Sequence, residues 1–435
     1  MKYWEIGPLR VSDNHRYLQN GDQPFFWLGD TAWLMFQKCS REDAYIYLKN
    51  RKDKGYNVIQ AVLVHSLADE NGSGPDGMRL DVDSESYWED CDAMIAMAEE
   101  LGLYIGLLPA WGSVVKRGII NEKNVERYAA FLINRYKNRP NIIWLLGGDV
   151  RGVDGEIVYK TFGRMLKRSC SHQLVGFHPF GRTSSSLWFH DEPWLDFNMF
   201  QSGHRRYDQA SLGEWDDNKE KEGYYGEDSW RYVDRDHSYG IMKPTVDGEP
   251  SYEGIPQGLH DPKEPFWQAA DVRRYAYWSV FQGAMGHTYG CNAIMQFYNN
   301  TAVPGSYGVK ETWKEAMHRE GAGQMKHLKD LMLGVDFMSG RPAEALLLSG
   351  QKEKYERVSV FAGTDFIFCY DYLGKAFELD LSGYQGKKLE AYWFDPESGI
   401  YSYLEDVTGR DRINAKPIQR AGEANDWVLY IKVTE

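Results

Sequence analysis

With 435 residues, the chain exceeds one ordinary domain and leaves room for a barrel of roughly 250 residues plus one smaller module. Its 50 Lys and Arg against 63 Asp and Glu give a formal charge of -13. No basic stripe offsets that repulsion, which argues against nucleic acid as a partner. No apolar run approaches the roughly 18 residues of a membrane span.

Val11 to Pro24 reads as a hairpin capping the closed end of a barrel. From Phe25 to about Gly334, short apolar runs alternate with longer helical patterns, which predicts a parallel sheet. The predicted strands are Phe25–Gly29, Val58–Leu63, Tyr104–Ala110, Ile142–Gly148, Leu174–Pro179, Asp196–Ser202, Pro244–Glu249 and Gly286–Gly290. Eight strands is the number of a TIM (β/α)8 barrel.

Between them, Ser40-Arg41-Glu42-Asp43 is a capping box opening a helix that Gly55 ends. A second helix begins at Asp83 or Ser84 and stops at Gly102, with Cys91, Met94, Ile95 and Ala98 at helical spacing. Further helices are expected over Asn121–Lys137, Asp271–Gln282 and Thr312–Met332. After about Ser339 the pattern turns to short strands, which predicts a C-terminal antiparallel β-sandwich. Its strands are read at Ala345–Leu348, Arg357–Phe361, Phe366–Tyr370, Ala376–Leu381, Leu389–Phe394 and Trp427–Val433, with Asp395–Gly399 as a turn. The domains are thus expected to be 1–338 and 339–435.

Five scattered cysteines, Cys39, Cys91, Cys170, Cys291 and Cys369, form neither a zinc motif nor a disulfide framework. They fit a reducing compartment. Met1 to Arg10 lacks a signal-like stretch, so the expectation is either a cytoplasmic protein or a periplasmic or secreted one whose leader has been removed. The oligomeric state stays open.

Reacting groups in such a barrel gather at the C-terminal strand ends, where eight loops converge. Those ends carry Asp30, His65, Trp111, Asp149, His178, Gln201, His204, Asp247, Glu249, His287 and Tyr289. Asp30 serves either as the cap of the next helix or as a ligand contact. Two glycines before Asp149 suggest close packing there, and Glu249, a poor cap followed by Pro250, is hard to explain structurally. Asp149 and Glu249 come from strands four and seven and supply the acid and second carboxylate that glycoside hydrolysis needs. The donor must hold its proton near neutral pH, so its pKa has to be raised by apolar surroundings and by the other carboxylate.

Fifteen Trp and 29 Tyr fill a core but also offer platforms for the C–H faces of sugar rings. The histidines allow a rival reading as a metal-dependent hydrolase, against which strand one shows no His-x-His. No G-x-S-x-G elbow appears. A third reading is a non-catalytic carbohydrate-binding protein on a decayed barrel.

Several stretches resemble the apiosidase-like glycoside hydrolases of family 140: FFWLGDTAW (25–33), NVIQAVLVHSL (57–67), RPNIIWLLGGD (139–149) and HPFGRTSSS (178–186). DFNMFQSGHRRYDQ (196–209), KPTVDGEPSYEGIPQGLH (243–260) and RRYAYWSVFQGAMGHTYG (273–290) do so too, and YWFDPESG (392–399) resembles the sandwich that follows the barrel in that family. The resemblance implies release of apiose-linked side chains from the pectic polysaccharide rhamnogalacturonan II. It implies Asp149 as acid/base and Glu249 as nucleophile. The wider clan of retaining barrel glycosidases places Asn-Glu where this chain has Gly148-Asp149, so the retaining outcome is carried by the wider pattern.

Substrate contacts are expected from Asp30, His65, Trp111, His178, Gln201, His204, Tyr252, His287 and Tyr289, with Trp33 and Trp278 in the core. Arg182, Arg205 and Arg206 are candidates to meet uronic-acid carboxylates or to form surface ion pairs. Neither a cofactor nor a metal is called for; the expected partner is an oligo- or polysaccharide.

Overall fold

The computed structural model describes residues 2–65, 85–209, 225–300, 302–420 and 425–435. The first layer is a three-stranded antiparallel sheet of β1 (Leu9–Val11), β2 (Leu18–Asn20) and β3 (Gln23–Phe25). β2 and β3 are the expected hairpin, and β1 adds a third strand. The sheet lies at the barrel's closed end. Asn20 Nδ2 donates to Tyr104 Oη at 2.7 Å, and Tyr104 is the first residue of a barrel strand.

Eight parallel strands follow: β4 (Trp27–Thr31), β5 (Val58–Val62), β6 (Tyr104–Leu108), β7 (Ile142–Val150), β8 (Val175–Pro179), β9 (Asn198–Phe200), β10 (Thr245–Asp247) and β11 (Gly286–Tyr289). Each overlaps a predicted strand, because strands covered on both faces read as continuous apolar runs. They form one sheet in the order β8-β7-β6-β5-β4-β11-β10-β9, which curls into a nearly closed (β/α)8 barrel. Its seam lies between β8 and β9, where the Ser184–Phe200 bridge stands in for a ladder. Buried Asp236 ties the seam, accepting hydrogen bonds from Ser184 Oγ (2.8 Å), Ser186 Oγ (2.7 Å) and Thr245 Oγ1 (2.5 Å).

Ser40 caps the helix Arg41–Asp53 as its motif predicts, its Oγ accepting from the Asp43 amide at 3.1 Å. The helix Glu85–Leu101 buries Cys91, Met94, Ile95 and Ala98, while its predicted start at Asp83 or Ser84 lies outside the described residues. The helix Val125–Tyr136 falls inside its predicted span, and Ala269–Phe281 overlaps the predicted Asp271–Gln282 but starts before it. The span Thr312–Met332 divides into Trp313–Ala316 and Glu320–Leu333. At the break the Met317 carbonyl accepts from Arg51 Nη1 at 3.4 Å instead of continuing a helical ladder.

After the barrel, β12 (Arg341–Pro342), β13 (Val358–Ala362), β14 (Phe366–Asp371), β15 (Phe377–Asp380), β16 (Lys388–Phe394), β17 (Tyr401–Asp406), β18 (Arg412–Ala415) and β19 (Trp427–Thr434) form the C-terminal unit. The larger antiparallel sheet runs β12-β13-β14-β19-β16-β17, and β15 pairs with β18. Val360, Ile367, Cys369, Leu379, Trp393 and Leu429 fill the space between them. The segment expected as a strand at Ala345–Leu348 is instead a 3-10 turn over Glu344–Leu346. There the Glu344 carboxylate pairs with Arg357, and Leu347 makes one bridge to Leu379.

This unit packs along the barrel helix Ala269–Phe281. Phe281 stacks on Phe368 with centroids 5.6 Å apart, and Tyr277 on Tyr370 at 4.7 Å. One helical turn before Tyr277, Arg273 donates from Nε and Nη2 to the two oxygens of Asp426 at 2.9 and 2.8 Å, and both side chains are buried. Replacing Asp426 by Ala strands the guanidinium in a dry interface. We expect a loss of ~3–5 kcal/mol of unfolding free energy, read by denaturant titration; a loss under about 1 kcal/mol, the value of an exposed pair, would show the bridge to be dispensable.

Candidate active site

Strand β7 leaves the ladder at its end. Its register with β8 runs Gly147 to His178 and resumes only at Val150 with Pro179. This bulge leaves Gly148 and Asp149 without ladder partners and turns the Asp149 side chain into the barrel mouth. Gly147 and Gly148 adopt φ of 87° and 106°, and a Cβ on Gly148 would stand 2.7 Å from the Trp111 ring. Only glycine fits there. Asp149 itself is left-handed, with φ 56°, a conformation that Asp accepts better than most residues.

The mouth holds a cavity of about 260 Å³ lined by both Asp149 and Glu249. The Asp149 carboxyl faces the water of this cavity yet lies deep among protein atoms. Burial and then the neighbouring Glu249 charge push its pKa up to about 6. Glu249 is 9% exposed. Burial would raise its pKa, but His178 Nε2 at 3.2 Å from Oε2 and His204 Nε2 at 3.1 Å from Oε1 outweigh it and hold the group at about 2.

The backbone sets the imidazole tautomers. The Asp149 amide donates to His178 Nδ1 and the Tyr252 amide to His204 Nδ1, each at 3.4 Å. Both Nδ1 atoms are therefore acceptors, and in the neutral rings the proton sits on Nε2, directed at Glu249. The His204 contact is a formed hydrogen bond, whereas His178 approaches off-line.

Aromatic rings build one wall. Trp111 lies 5.3 Å from Trp33 and 5.7 Å from His178, and His65 stacks on it at 5.1 Å and 27°. Burial pulls the His65 pKa down to about 4, so this ring is neutral at physiological pH. Gln201, His204 and Tyr252 also line the cavity. Trp33, expected in the core, is 3% exposed but contributes to the wall while donating to Tyr252 Oη at 3.0 Å.

Asp30, His178, His287 and Tyr289, expected to touch substrate, stand outside the cavity lining, in the barrel interior, His178 reaching Glu249 instead. Arg51 Nε and Tyr47 Oη donate to Asp30 Oδ2 at 2.5 and 2.6 Å, so the carboxylate is consumed by a buried ion pair. Tyr289 Oη donates to Glu253 at 2.6 Å. His287 is fully enclosed, and burial takes its pKa down to about 3.

Arg182 and Arg205 line the cavity, while Arg206 turns away to Asp208 (2.9 Å) and Glu264 (2.7 Å). Phe180, Ile255, Leu259, Met295, Gln296, Ser306 and Tyr307 join the lining without having been expected. Phe180 ends strand five and was within reach of the strand-end argument, but Tyr307 sits in a GSYG loop well beyond strand eight. Among the described residues, no group of three or more His, Cys, Asp or Glu is placed to hold a metal ion.

The site thus holds two carboxyls in one ring-lined cavity, one pushed up to about 6 and the other held down at about 2. Those are the demands of glycoside cleavage, and the comparisons place the chain in that class. A solved structure described as a glycoside hydrolase is 39% identical, with a TM-score of 0.92 and coverage of 99% of this chain and 98% of its own. Another, described as a glycoside hydrolase family 5 from Bacteroides vulgatus ATCC 8482, is 38% identical, with a TM-score of 0.92 and coverage of 99% and 95%. Among curated proteins no match is found.

The family model described as "Apiosidase-like, catalytic domain" matches residues 12–339. The one described as "Putative collagen-binding domain of a collagenase" matches residues 342–432. The chain belongs to the apiosidase-like family, and it is a glycoside hydrolase.

Proposed function

We propose that the enzyme releases apiose-linked side chains of the pectic polysaccharide rhamnogalacturonan II by a retaining double displacement. The observation that carries the mechanism is a pair of carboxyls lining one cavity in unlike surroundings: burial and the Glu249 charge push Asp149 up to about 6, while His178 and His204 hold Glu249 down at about 2. Glu249 attacks the anomeric carbon while Asp149 passes its proton to the departing glycosidic oxygen, and the C–O bond breaks. Asp149, now ionised, takes a proton from water as that water attacks the glycosyl ester and frees Glu249.

Through the first step His178 and His204 hold the Glu249 carboxylate from their Nε2 atoms. Trp111 and His65 offer flat faces to the sugar. Arg182 and Arg205 bring positive charge to the cavity lining, which favours a glycan carrying carboxylates, as pectic chains do.

Incubation with rhamnogalacturonan II followed by mass spectrometry of the products is expected to show apiose-terminated oligosaccharides. NMR of the first product should show the anomeric configuration of the substrate. Cleavage of a different polysaccharide with rhamnogalacturonan II left intact would reject the substrate, and an inverted first product would reject the double displacement.

A further inference from the structure

We infer that Tyr307 is a substrate-contacting residue, forming the wall of the cleft across from Trp111 and fixing the sugar at the point of cleavage. In an eight-stranded ring the eighth strand stands opposite the fourth, so a loop that follows β11 faces β7, with Asp149 and the Trp111 packed against its bulge. Tyr307 belongs to that loop and lines the same cavity.

The loop is built to hold this residue in place. Gln296 Nε2 donates to the Ser306 carbonyl at 3.1 Å, and the Ser306 amide donates back to Gln296 Oε1 at 2.9 Å. Asn292 Nδ2 donates to the Tyr307 carbonyl at 2.8 Å and to that of Gly254 at 2.9 Å, while its Oδ1 accepts from Gln296 at 2.7 Å. Three of these bonds hold the backbone at Ser306 and at the tyrosine's own carbonyl, and the other two brace the Asn292 and Gln296 side chains that make them.

They fix the backbone in an unfavourable conformation. Tyr307 has φ 54° and ψ 39°, the left-handed region, which a bulky side chain adopts only under strain. A glycine, such as its neighbours Gly305 and Gly308, would adopt it freely. The ring is half-buried: one side packs against the small cluster of Tyr252, Ile255, Trp267 and Tyr275, with His260 at 5.8 Å, and the residue also lines the cavity. What the conformation does achieve is to place the phenol in the field of the reacting groups. Burial, then Asp149, then Glu249 raise its pKa. A strained aromatic braced from behind by that cluster and half-exposed to the cavity of the two catalytic carboxylates is positioned for a ligand.

The choice of probe rests on the pectic reading above. Three proteins, wild type, Tyr307→Phe and Tyr307→Gly, are compared for thermal unfolding and for reducing-end release from rhamnogalacturonan II. The glycine variant relieves strain as it loses half-buried ring contacts, so its Tm is expected within about 2 °C of wild type or above it. Its kcat/KM is expected to fall ~10–100-fold, the range of a lost contact in a specificity pocket, with the phenylalanine variant intermediate.

A kcat/KM within threefold of wild type in both variants would overturn the inference while leaving the substrate reading intact. A Tm lowered by 5 °C or more in the glycine variant would overturn it on any substrate, since the ring would then be serving the fold. Wild-type protein inert on rhamnogalacturonan II would reject the pectic reading, and the Tm comparison would still decide between a ligand contact and a structural ring.

Discussion

Replacing Glu249 by Gln is expected to lower kcat/KM by ~10⁴-fold or more while leaving the barrel folded, as for other members of a catalytic unit. The reason is chemical and local. A carboxamide cannot form the glycosyl ester, and its NH2 group would face an Nε2–H of His178 or His204. Neither ring can escape by moving its proton, because both Nδ1 atoms already accept backbone amides.

Glutamate at this position also stabilises the fold within a defined window. Its folded pKa of about 2 lies below the ordinary 4.5, so its contribution is present above pH 4.5 and is lost as pH falls towards 2. The variant should therefore be less stable than wild type at neutral pH and approach it in acid. Retention of more than one percent of wild-type activity by purified Gln variant would remove Glu249 from the mechanism.

Asp149→Asn carries the second large effect, and its sign with pH is opposite. Wild-type kcat/KM is expected to decline above about pH 6, tenfold per pH unit, as the proton donor ionises. The asparagine variant should lose ~10²–10⁴-fold on a substrate with a poor leaving group and should lack that alkaline limb. A small anionic nucleophile such as azide should restore turnover on a substrate with an activated leaving group, because only the proton-transfer steps have been removed.

For stability the sign reverses. The folded pKa of Asp149 is raised from 3.8, so its contribution is full below pH 3.8 and is lost as pH rises through about 6. The variant should melt above wild type at pH 8 and converge with it in acid. Asn tolerates φ 56°, so backbone strain does not confuse the comparison. An unchanged pH profile in the variant would show that another group gives the proton.

The barrel could be read from the chain because strands such as β5, β6 and β7 are short apolar runs buried on both faces, whereas β11 is the Gly-rich Gly-His-Thr-Tyr, and because Ser40, Gly55 and Gly102 punctuate the helices between them. The same reading underlies the meeting of Asp149, Glu249, His204, Gln201, Trp111 and His65 in one cavity, since all stand at or just beyond strand ends. Chain position does not reveal what a side chain will find in space. Asp30 also ends a strand, but Arg51 arrives from the helix that follows and takes its carboxylate. Tyr307 was out of reach for the converse reason, being delivered by a loop whose shape depends on Asn292 and Gln296. In the sandwich, β17 is exposed along nearly its whole length and so lacks the alternation that marks a half-buried strand.

The bulge at the end of β7 has a bearing on how such an enzyme can change. Gly148 and Asp149 take no part in sheet pairing, so barrel closure is set by residues up to Gly147 and from Val150 onward. Proton donation is set by the two between them. Because the labour is divided in this way, one scaffold can exchange its proton donor, or lengthen it by a methylene, without re-registering a strand. The sheet is then free to remain constant while the chemistry at its rim diverges.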